Sequence, residues 1–567
     1  MKNIIKYFGS LLLIAGFVAC SDLLEEVPLS QASPENSFKT EANARAAIVG
    51  VYSSLQLEGA YSRCQGLLTT DETNVAPKSF VGGINSYTFT ADNIDVILPI
   101  WRDHYIGINR ANLAIAKIPT IDMDVTERNS LVAEAKFIKS LLYFNLIRYF
   151  GDVPYKETET TSLNNLNIPR TPVATIYENI IKDLQYGVIN LKVKAPELAG
   201  HATQDAAKTL LASVYLNRGS IAKRDNTGDK GIADFALAAK FAKEVMDANR
   251  YSLCDYFPDA FSVQNKNNNE IIFDVQFKSP KLGVGSSIGY NMGIPSDASG
   301  INNLLAGGST ATVRANTYHQ FLYDKADSIR LQWTDARIEI KAATGKFIRL
   351  STISSTPVSA GKFRRYPVHD SNFPLKVQDY DVNWPIFRFA EVLLIYAEAL
   401  NETSGPEQEA IDALNKLRSR ARNVNAGGVH TDALPRVLTL QKSTGLVDLT
   451  LSDPLVSTQE AFRDYIILER TRELMAEGKR WFDLVRWGKL QSTLLGLNAK
   501  FLAKQTQPIP AEVPAITPTK WKNYWNQQNL DWINLSGNVQ DYHNLMPIPN
   551  NEILANPAIV NNNPGYN

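Results

Sequence analysis

Apolar residues recur every three or four positions through much of this chain, the spacing that places them along one side of an α-helix. In the first such stretch Thr40 is suited to cap a helix whose apolar side carries Ala44, Ile48, Val51 and Leu55. The same spacing predicts helices over residues 101–118, 126–150, 171–184, 206–216 and 233–248. Helix pairs in this order are typical of a tetratricopeptide-like superhelix, although none matches the strict repeat consensus.

The run 384–402 predicts a helix that is buried inside this array. Pro385 fits a first helical position, and no Gly or Pro follows it within the run. Apolar residues cover most of its circumference, as expected of a helix surrounded by other helices. Its charged residues Arg388, Glu391 and Glu398 therefore need partners in the core. Residues 407–421 complete a fourth pair, and further helices are predicted over 458–477 and 481–490.

Two long segments lack this periodicity. Residues 57–98 and 251–383 are rich in Gly, Ser, Asn and isolated aromatics, with one strand-like stretch over 271–277. Loops of that length inside a domain are commonly functional or disordered. The predicted fold is mainly α: four degenerate tetratricopeptide-like helix pairs forming a superhelix, with large irregular loop-rich insertions and few short strands.

The N-terminus predicts export and lipidation. Lys2 and Lys6 precede an apolar stretch over 8–18, and Ala19-Cys20 follows at the distance of a signal-peptidase site. The residues around Cys20 resemble a bacterial lipobox, in which the cysteine is acylated. The alternative is an ordinary signal peptide with an incidental cysteine. No later stretch approaches the roughly 18 apolar residues that a membrane-spanning helix needs.

Composition and motifs argue against several kinds of chemistry. Lys plus Arg equals Asp plus Glu in this 567-residue chain, so no net charge attracts nucleic acid. The six histidines are scattered, and neither an HExxH metal motif nor a G-x-S-x-G nucleophile elbow occurs. The sequence therefore predicts no metal, no cofactor and no enzyme activity. The surplus of loop aromatics instead suits ligand binding, although a single loop aromatic more commonly fills a local core.

Five stretches carry a resemblance to a known family. They are the run 384–402, AEAKFIKSLLYFNLIRYFGDVP at 133–154, NEIIF at 269–273, ERTRELMAEGKRWFDL at 469–484 and the Asn-Pro-rich tail at 556–566. In this order they resemble the SusD/RagB family of outer-membrane nutrient-binding lipoproteins from Bacteroidetes. His201, where the family usually has Arg, and Asn562, where it has Gln, depart from the pattern.

The resemblance implies a lipid-anchored protein at the cell surface, in the outer membrane. Residues 1–19 would be the signal peptide, 20–39 the lipidated N-terminus and tether, and 40–567 one domain. That domain comprises helical repeats over about 40–250 and 384–422, the insertion 251–383 and a C-terminal region 458–567. The acidic segment 21–26 resembles the family's surface-export signal, and its other reading is a solvated linker.

The function that the resemblance implies is capture of an oligosaccharide and its transfer to a SusC-like TonB-dependent transporter, with this chain as the lid. Alternatives are the same role with oligopeptide cargo, or a helical-repeat scaffold that binds only protein. By their position in the insertions, the candidate ligand-binding residues are Tyr61, Phe80, Tyr87, Tyr290 and Trp333.

The charged residues of the signature stretches have a structural interpretation. Arg388, Glu391 and Glu398 are expected to bind buried partners such as Arg470 or Arg472 of the 469–484 stretch. Such pairs would join the fourth helix pair to the helix behind it. These five residues are therefore predicted to stabilise the fold rather than to contact a ligand.

Overall fold

Helices stacked in chain order form the frame of the molecule. The structure, a computed structural model, describes residues 38–62, 68–75, 83–161, 166–278, 284–293, 312–316, 318–319, 322–324, 326–336, 338–341, 346–349, 359–363, 380–423, 446–508 and 517–566. Before the long insertion lie α1 (Glu41–Ser53), α2 (Ile97–Lys117), α3 (Val125–Phe150), α4 (Val173–Asn190), α5 (Gln204–Arg224) and α6 (Ile232–Asp247). Each of these helices packs on the next.

Local sequence signals set the ends of these helices. Thr40 caps α1, since its hydroxyl accepts from the Asn43 amide at 3.3 Å. Asp124 caps α3 in the same way, through the Glu127 amide at 2.9 Å. At the other end of α3, Gly151 adopts a φ of +70°, a value that suits glycine, and terminates the helix.

The second insertion, residues 251–383, contains the short helices α7 (Ile288–Met292) and α8 (Ser328–Thr334). It also contains most of the strands that the structure describes. The strands are β1 (Thr73–Val75), β2 (Val153–Pro154), β3 (Arg170–Thr171), β4 (Ile271–Val275), β5 (Val313–Ala315), β6 (Asp335–Ala336), β7 (Ile338–Lys341), β8 (Lys346–Arg349), β9 (Ser359–Ala360) and β10 (Trp384–Arg388). β10 pairs antiparallel with β4, β2 with β3, and β7 with β8.

The helical frame resumes after the insertion with α9 (Phe389–Ser404) and α10 (Gln408–Arg422). α9 packs against α6, so the insertion leaves and rejoins the frame between neighbouring helices. The helices α11 (Gln459–Leu474), α12 (Arg480–Arg486), α13 (Leu490–Thr506), α14 (Pro518–Ser536) and α15 (Asn550–Ala555) follow. The predicted fold class, a mainly helical superhelix of tetratricopeptide-like pairs with few short strands, is confirmed.

The predicted start of the buried helix over 384–402 was wrong. Residues 384–388 form β10 rather than the first turn of a helix, and the helix begins at Phe389. Pro385 has no N–H to donate, and the β10–β4 pairing is irregular just after it, between Pro385 and Phe387. The rest of the run is buried as predicted, with every residue of 389–399 in the core.

The two departures from the family pattern have clear local partners. The Asn562 side chain bonds both backbone groups of Ile548, at 2.8 and 3.0 Å. His201 Nδ1 lies 2.7 Å from the Glu134 carboxylate, which also accepts from the Tyr52 hydroxyl at 2.6 Å. The hydrogen bond to Glu134 raises the pKa of His201, since it favours the imidazolium form.

The His201 pair predicts a pH-dependent stability. A raised folded-state pKa stabilises the fold fully below the unfolded-state value of about 6.5, and this contribution is lost as pH rises through the folded-state value. The imidazole is 40% exposed, so solvent screening limits the effect to below about 1 kcal/mol. We expect wild type to exceed His201→Gln in unfolding free energy at pH 5.5, and the gap to close by pH 8.5.

Urea unfolding of both proteins at the two pH values measures this gap. Burial lowers the pKa of His104 and His543 to about 4, so both destabilise the fold at pH 5.5. Both proteins contain these two histidines, so their contribution cancels in the gap between them. A gap that is constant between pH 5.5 and 8.5 would contradict the assignment.

Candidate functional site

The two insertions meet in one small sheet. Its strand order is β1-β5-β9-β6, so β1 from the first insertion pairs with β5 and joins a sheet whose other three strands come from the second insertion. β1 runs antiparallel to β5, with Val75 opposite Val313 and Thr73 opposite Ala315. The chain segments that adjoin β1 and β5 are far apart in the sequence, and this pairing brings them next to each other at the sheet. We call this sheet, with α7 and residues 318–319, the loop face.

The first insertion is fixed to the helical frame by an ion pair. Arg480 of α12 donates to both oxygens of Asp71, at 2.8 and 2.7 Å, and both side chains are buried. The backbone oxygen of the adjacent Glu72 accepts from the Asn316 amide at 2.8 Å, which ties the two insertions together. Burial raises the pKa of the Glu72 carboxyl to about 8.

A buried charge cluster fixes the second insertion. Arg330 of α8 donates to Glu469 at 2.6 Å and Glu473 at 3.0 Å, both on α11. Lys362, close after β9, donates to Glu477 at 2.7 Å. We define the central charge cluster as these residues and their remaining ionic partners: Glu270, Asp327, Arg330, Lys362, Arg388, Arg420, Glu469, Arg472, Glu473 and Glu477.

The central charge cluster is balanced, with five cationic and five acidic side chains. Arg388 occupies its middle and reaches Glu477 at 2.7 Å, Glu270 at 2.6 Å and Glu473 at 2.7 Å. Burial alone would raise the pKa of the Glu473 carboxyl, but the guanidinium groups of Arg420, Arg388 and Arg330 outweigh burial and lower it. The side chains of the cluster therefore remain charged, and their ion pairs join the second insertion to the helical frame.

The five charged residues of the signature stretches are all buried. Glu398 accepts from Arg486 at 2.7 Å and lies 3.8 Å from Arg470, which pairs chiefly with Asp483. The other three of these residues have partners that differ from the expected ones. Glu391 pairs with Lys479 at 2.9 Å, Arg388 belongs to the central charge cluster, and Arg472 donates to the Leu322 carbonyl at 2.7 Å.

The candidate ligand-binding aromatics lie in different environments. Trp333 is 1% exposed within α8, and Tyr87 is 2% exposed with its hydroxyl donating to the Thr69 carbonyl at 2.5 Å. Tyr61 is 5% exposed and faces an internal cavity. In this conformation none of these three rings offers a face to solvent. Phe80, like Cys20, lies outside the described residues.

Tyr290 is the candidate that is partly exposed on the loop face. Its ring centroid lies 6.4 Å from that of the buried Tyr380. Two backbone hydrogen bonds of 3.0 Å between Ser286 and Tyr380 hold α7 in place. A Cβ at Gly289 would come within 2.6 Å of the Tyr380 ring, so glycine permits this packing. Tyr290 is therefore presented by a fixed support.

Sequence reasoning did not select a second partly exposed ring, Tyr318. It follows β5 in the chain and packs edge-on against Phe501 of α13, with centroids 6.0 Å apart. The Lys500 ammonium lies 5.3 Å from its ring centroid. Only its place in the second insertion pointed to it, because α13 itself was not predicted.

A groove of about 510 Å³ opens elsewhere, where α2 and α15 approach the segment after β2. Its lining includes the charged side chains of Arg102, Arg110, Lys156 and Glu552. It lies on the helical frame and not on the loop face. None of the candidate residues lines it.

The described part of the chain lacks both a membrane-spanning helix and a metal-binding group of side chains. No helix there combines the length and apolarity needed to cross a membrane. Within the same residues no three His, Cys, Asp or Glu side chains are grouped as a metal site requires.

The fold defines a helical-repeat protein whose insertions form a separate loop face. Residues 353–566 match the model of the SusD family, and residues 24–216 match a model described as starch-binding associating with outer membrane. The SusD-like protein P2 of Formosa agariphila is 30% identical over 98% of both chains. The chain belongs to the SusD family.

Solved structures share the fold. A SusD homologue from Bacteroides thetaiotaomicron superposes with a TM-score of 0.74 over 94% of this chain and 98% of that one, at 21% identity. A laminarin-binding SusD-like protein gives a TM-score of 0.65 over 93% of this chain and all of its own, also at 21% identity.

Proposed function

We propose that this protein is a cell-surface lipoprotein that binds an oligosaccharide and passes it to a SusC-like TonB-dependent transporter, acting as the lid. The observation that carries the proposal is the sheet that joins both insertions, together with the partly exposed Tyr290 of α7. Family membership supports it, since one matching model is described as starch-binding and one structural neighbour binds laminarin.

Binding of this kind needs contact surfaces and no reacting group. An aromatic face stacks on the C–H groups of a sugar ring, while polar side chains fix the orientation. Tyr290 and Tyr318 are partly exposed rings of the second insertion that can supply such faces. We therefore assign ligand contact to these two rings, and a supporting role to the buried Trp333 and Tyr87. Tyr61 contributes to the interior instead.

A titration against a glycan panel tests the proposal. The mature protein would be titrated calorimetrically with starch-derived and laminarin-derived oligosaccharides, and with peptides of mixed sequence. We expect at least one oligosaccharide to bind and the peptides to give no heat. Binding of peptides alone would transfer the lid role to oligopeptide cargo, and binding of neither would favour a protein-interaction scaffold.

The proposed anchor gives a separate prediction. Replacing Cys20 with Ala removes the acylated side chain, and multiple acyl chains are what make such anchoring stable. We expect Cys20→Ala to move the protein from the membrane fraction to the soluble fraction, with glycan affinity unchanged. Fractionation of cells that lack the partner transporter measures this directly. Cys20→Ala protein that stays in the membrane fraction of those cells would contradict lipidation at this residue.

A further inference from the structure

An internal polar cavity lies within the helical frame, where α3, α5, α9 and α12 meet. Its volume is about 60 Å³, enough for a few water-sized groups and too small for a sugar. Seven charged side chains line it: Arg148, Glu391, Arg470, Glu477, Lys479, Asp483 and Arg486. Charged side chains that line so small a cavity need partners of opposite charge.

Three of the four lining cations are paired with carboxylates. Lys479 pairs with Glu391 at 2.9 Å, and Arg470 pairs with Asp483 at 3.0 Å. Arg486 pairs with Asp483 at 2.9 Å and with Glu398, which lies just outside the lining. The charges of these three cations are therefore balanced by three carboxylates, those of Glu391, Asp483 and Glu398.

The remaining acid of the lining, Glu477, is used elsewhere. One of its oxygens accepts from Lys362 at 2.7 Å and the other from Arg388 at 2.7 Å, both within the central charge cluster. The charge of Glu477 is therefore balanced within the central charge cluster, and it does not balance a cation that lines the cavity.

Arg148 is the lining cation without an acid. Its guanidinium lies between the rings of Phe144 and Phe482, at 4.0 and 3.9 Å from their centroids. It donates to the Asn145 side-chain oxygen at 2.5 Å and to the Phe144 carbonyl at 3.2 Å. No carboxylate among the described residues lies within 4 Å of it. Burial lowers the pKa of Arg148, in keeping with a charge that lacks a partner.

Donors around the cavity are also in excess. Arg470 is 4% exposed, and its Nη1 makes no hydrogen bond to any described residue. The Tyr61 hydroxyl accepts from Asn145 at 2.5 Å, which leaves its own hydrogen to donate. Burial raises the pKa of Tyr61 to about 12, so that hydrogen is retained at neutral pH. A buried donor without an acceptor destabilises the fold, so an acceptor is expected here.

We propose that this cavity binds one small monovalent anion, of the size of chloride, between Arg148 and Arg470. One negative charge would balance Arg148, and a spherical acceptor would use Arg470 Nη1 and the Tyr61 hydroxyl together. The site stabilises the junction of the second, third and fourth helix pairs with the C-terminal stretch. The proposal does not depend on what the loop face binds.

Thermal unfolding at constant ionic strength tests the site. The mature protein would be unfolded in mixtures of sodium chloride and sodium gluconate, because gluconate is too large for the cavity. We expect the midpoint to rise by about 2 °C between zero and 200 mM chloride for millimolar affinity. Sodium formate should act like chloride. Sodium glucuronate should not, and a rise with glucuronate but not chloride would instead indicate a carboxylate carried by a sugar.

A matched pair of variants assigns the effect to Arg148. Arg148→Met keeps an unbranched side chain between the two rings and removes the charge, so the chloride response should vanish. Arg218→Met is the control, because Arg218 also lies near an aromatic ring but is paired with Asp234. It should retain the response. An equal response in both variants, or none in wild type, would overturn the proposal.

A third measurement does not depend on any variant folding. Crystals of the wild-type protein grown in sodium bromide should show one anomalous peak between Arg148 and Arg470. Density there without anomalous signal would mean that water fills the cavity, and the proposal would be wrong.

Discussion

Replacing Glu473 with Gln should lower the free energy of unfolding by about 3–5 kcal/mol, the range for breaking a buried ion pair from one side. Glu473 is fully buried and its carboxylate accepts from Arg330, Arg388 and Arg420. A neutral amide leaves three buried guanidinium groups with one fewer negative charge, in a region shielded from solvent. Urea unfolding, followed by tryptophan fluorescence, measures the loss.

Glu460→Gln is the control for this prediction. Glu460 lies on the same helix, α11, but is exposed, so its replacement should change stability by less than about 0.5 kcal/mol. If Glu473→Gln were as mild as the control, the central charge cluster would not be what joins the insertion to the frame.

The second large effect separates a core aromatic from a ligand contact. Trp333→Ala removes a side chain that is 1% exposed, and substitutions of this kind cost about 3–5 kcal/mol. Tyr290→Ala removes a partly exposed ring and should leave stability within about 1 kcal/mol. It should weaken binding of the oligosaccharide identified in the titration about tenfold, through lost stacking.

The two variants are informative together. Unfolding midpoints and calorimetric titrations of both would give opposite patterns if the assignment is correct. A stable Trp333→Ala protein with weakened binding would show that Trp333 reaches the ligand in another conformation. A Tyr290→Ala protein with unchanged affinity would remove Tyr290 from the site.

The helical frame was largely predictable from the sequence, because apolar spacing and capping residues are local signals. Thr40 and Gly151 mark the ends of α1 and α3 where expected. The helical content of the C-terminal region was underestimated, because α13 and α14 were not predicted there. A signal was present: Leu490, Leu494, Leu497 and Phe501 recur at helical intervals and are buried.

The candidate site was predictable only in outline. Its location in two insertions followed from the failure of periodicity, but the sheet that joins them depends on pairing between distant segments. Burial of Tyr87 also depends on a contact between distant segments, because its ring packs against His543. For the charged residues, the sequence indicated that Arg388 needs a partner, and only the fold shows that Glu270, Glu473 and Glu477 supply it.

Hydrogen–deuterium exchange with and without bound oligosaccharide tests most directly whether the loop face is the binding site. Peptides covering residues 284–293 and 312–319 should exchange more slowly in the complex, while α2 and α15, which line the groove of about 510 Å³, should not change. Protection of α2 and α15 without protection of the loop face would place the ligand in the groove and contradict the account.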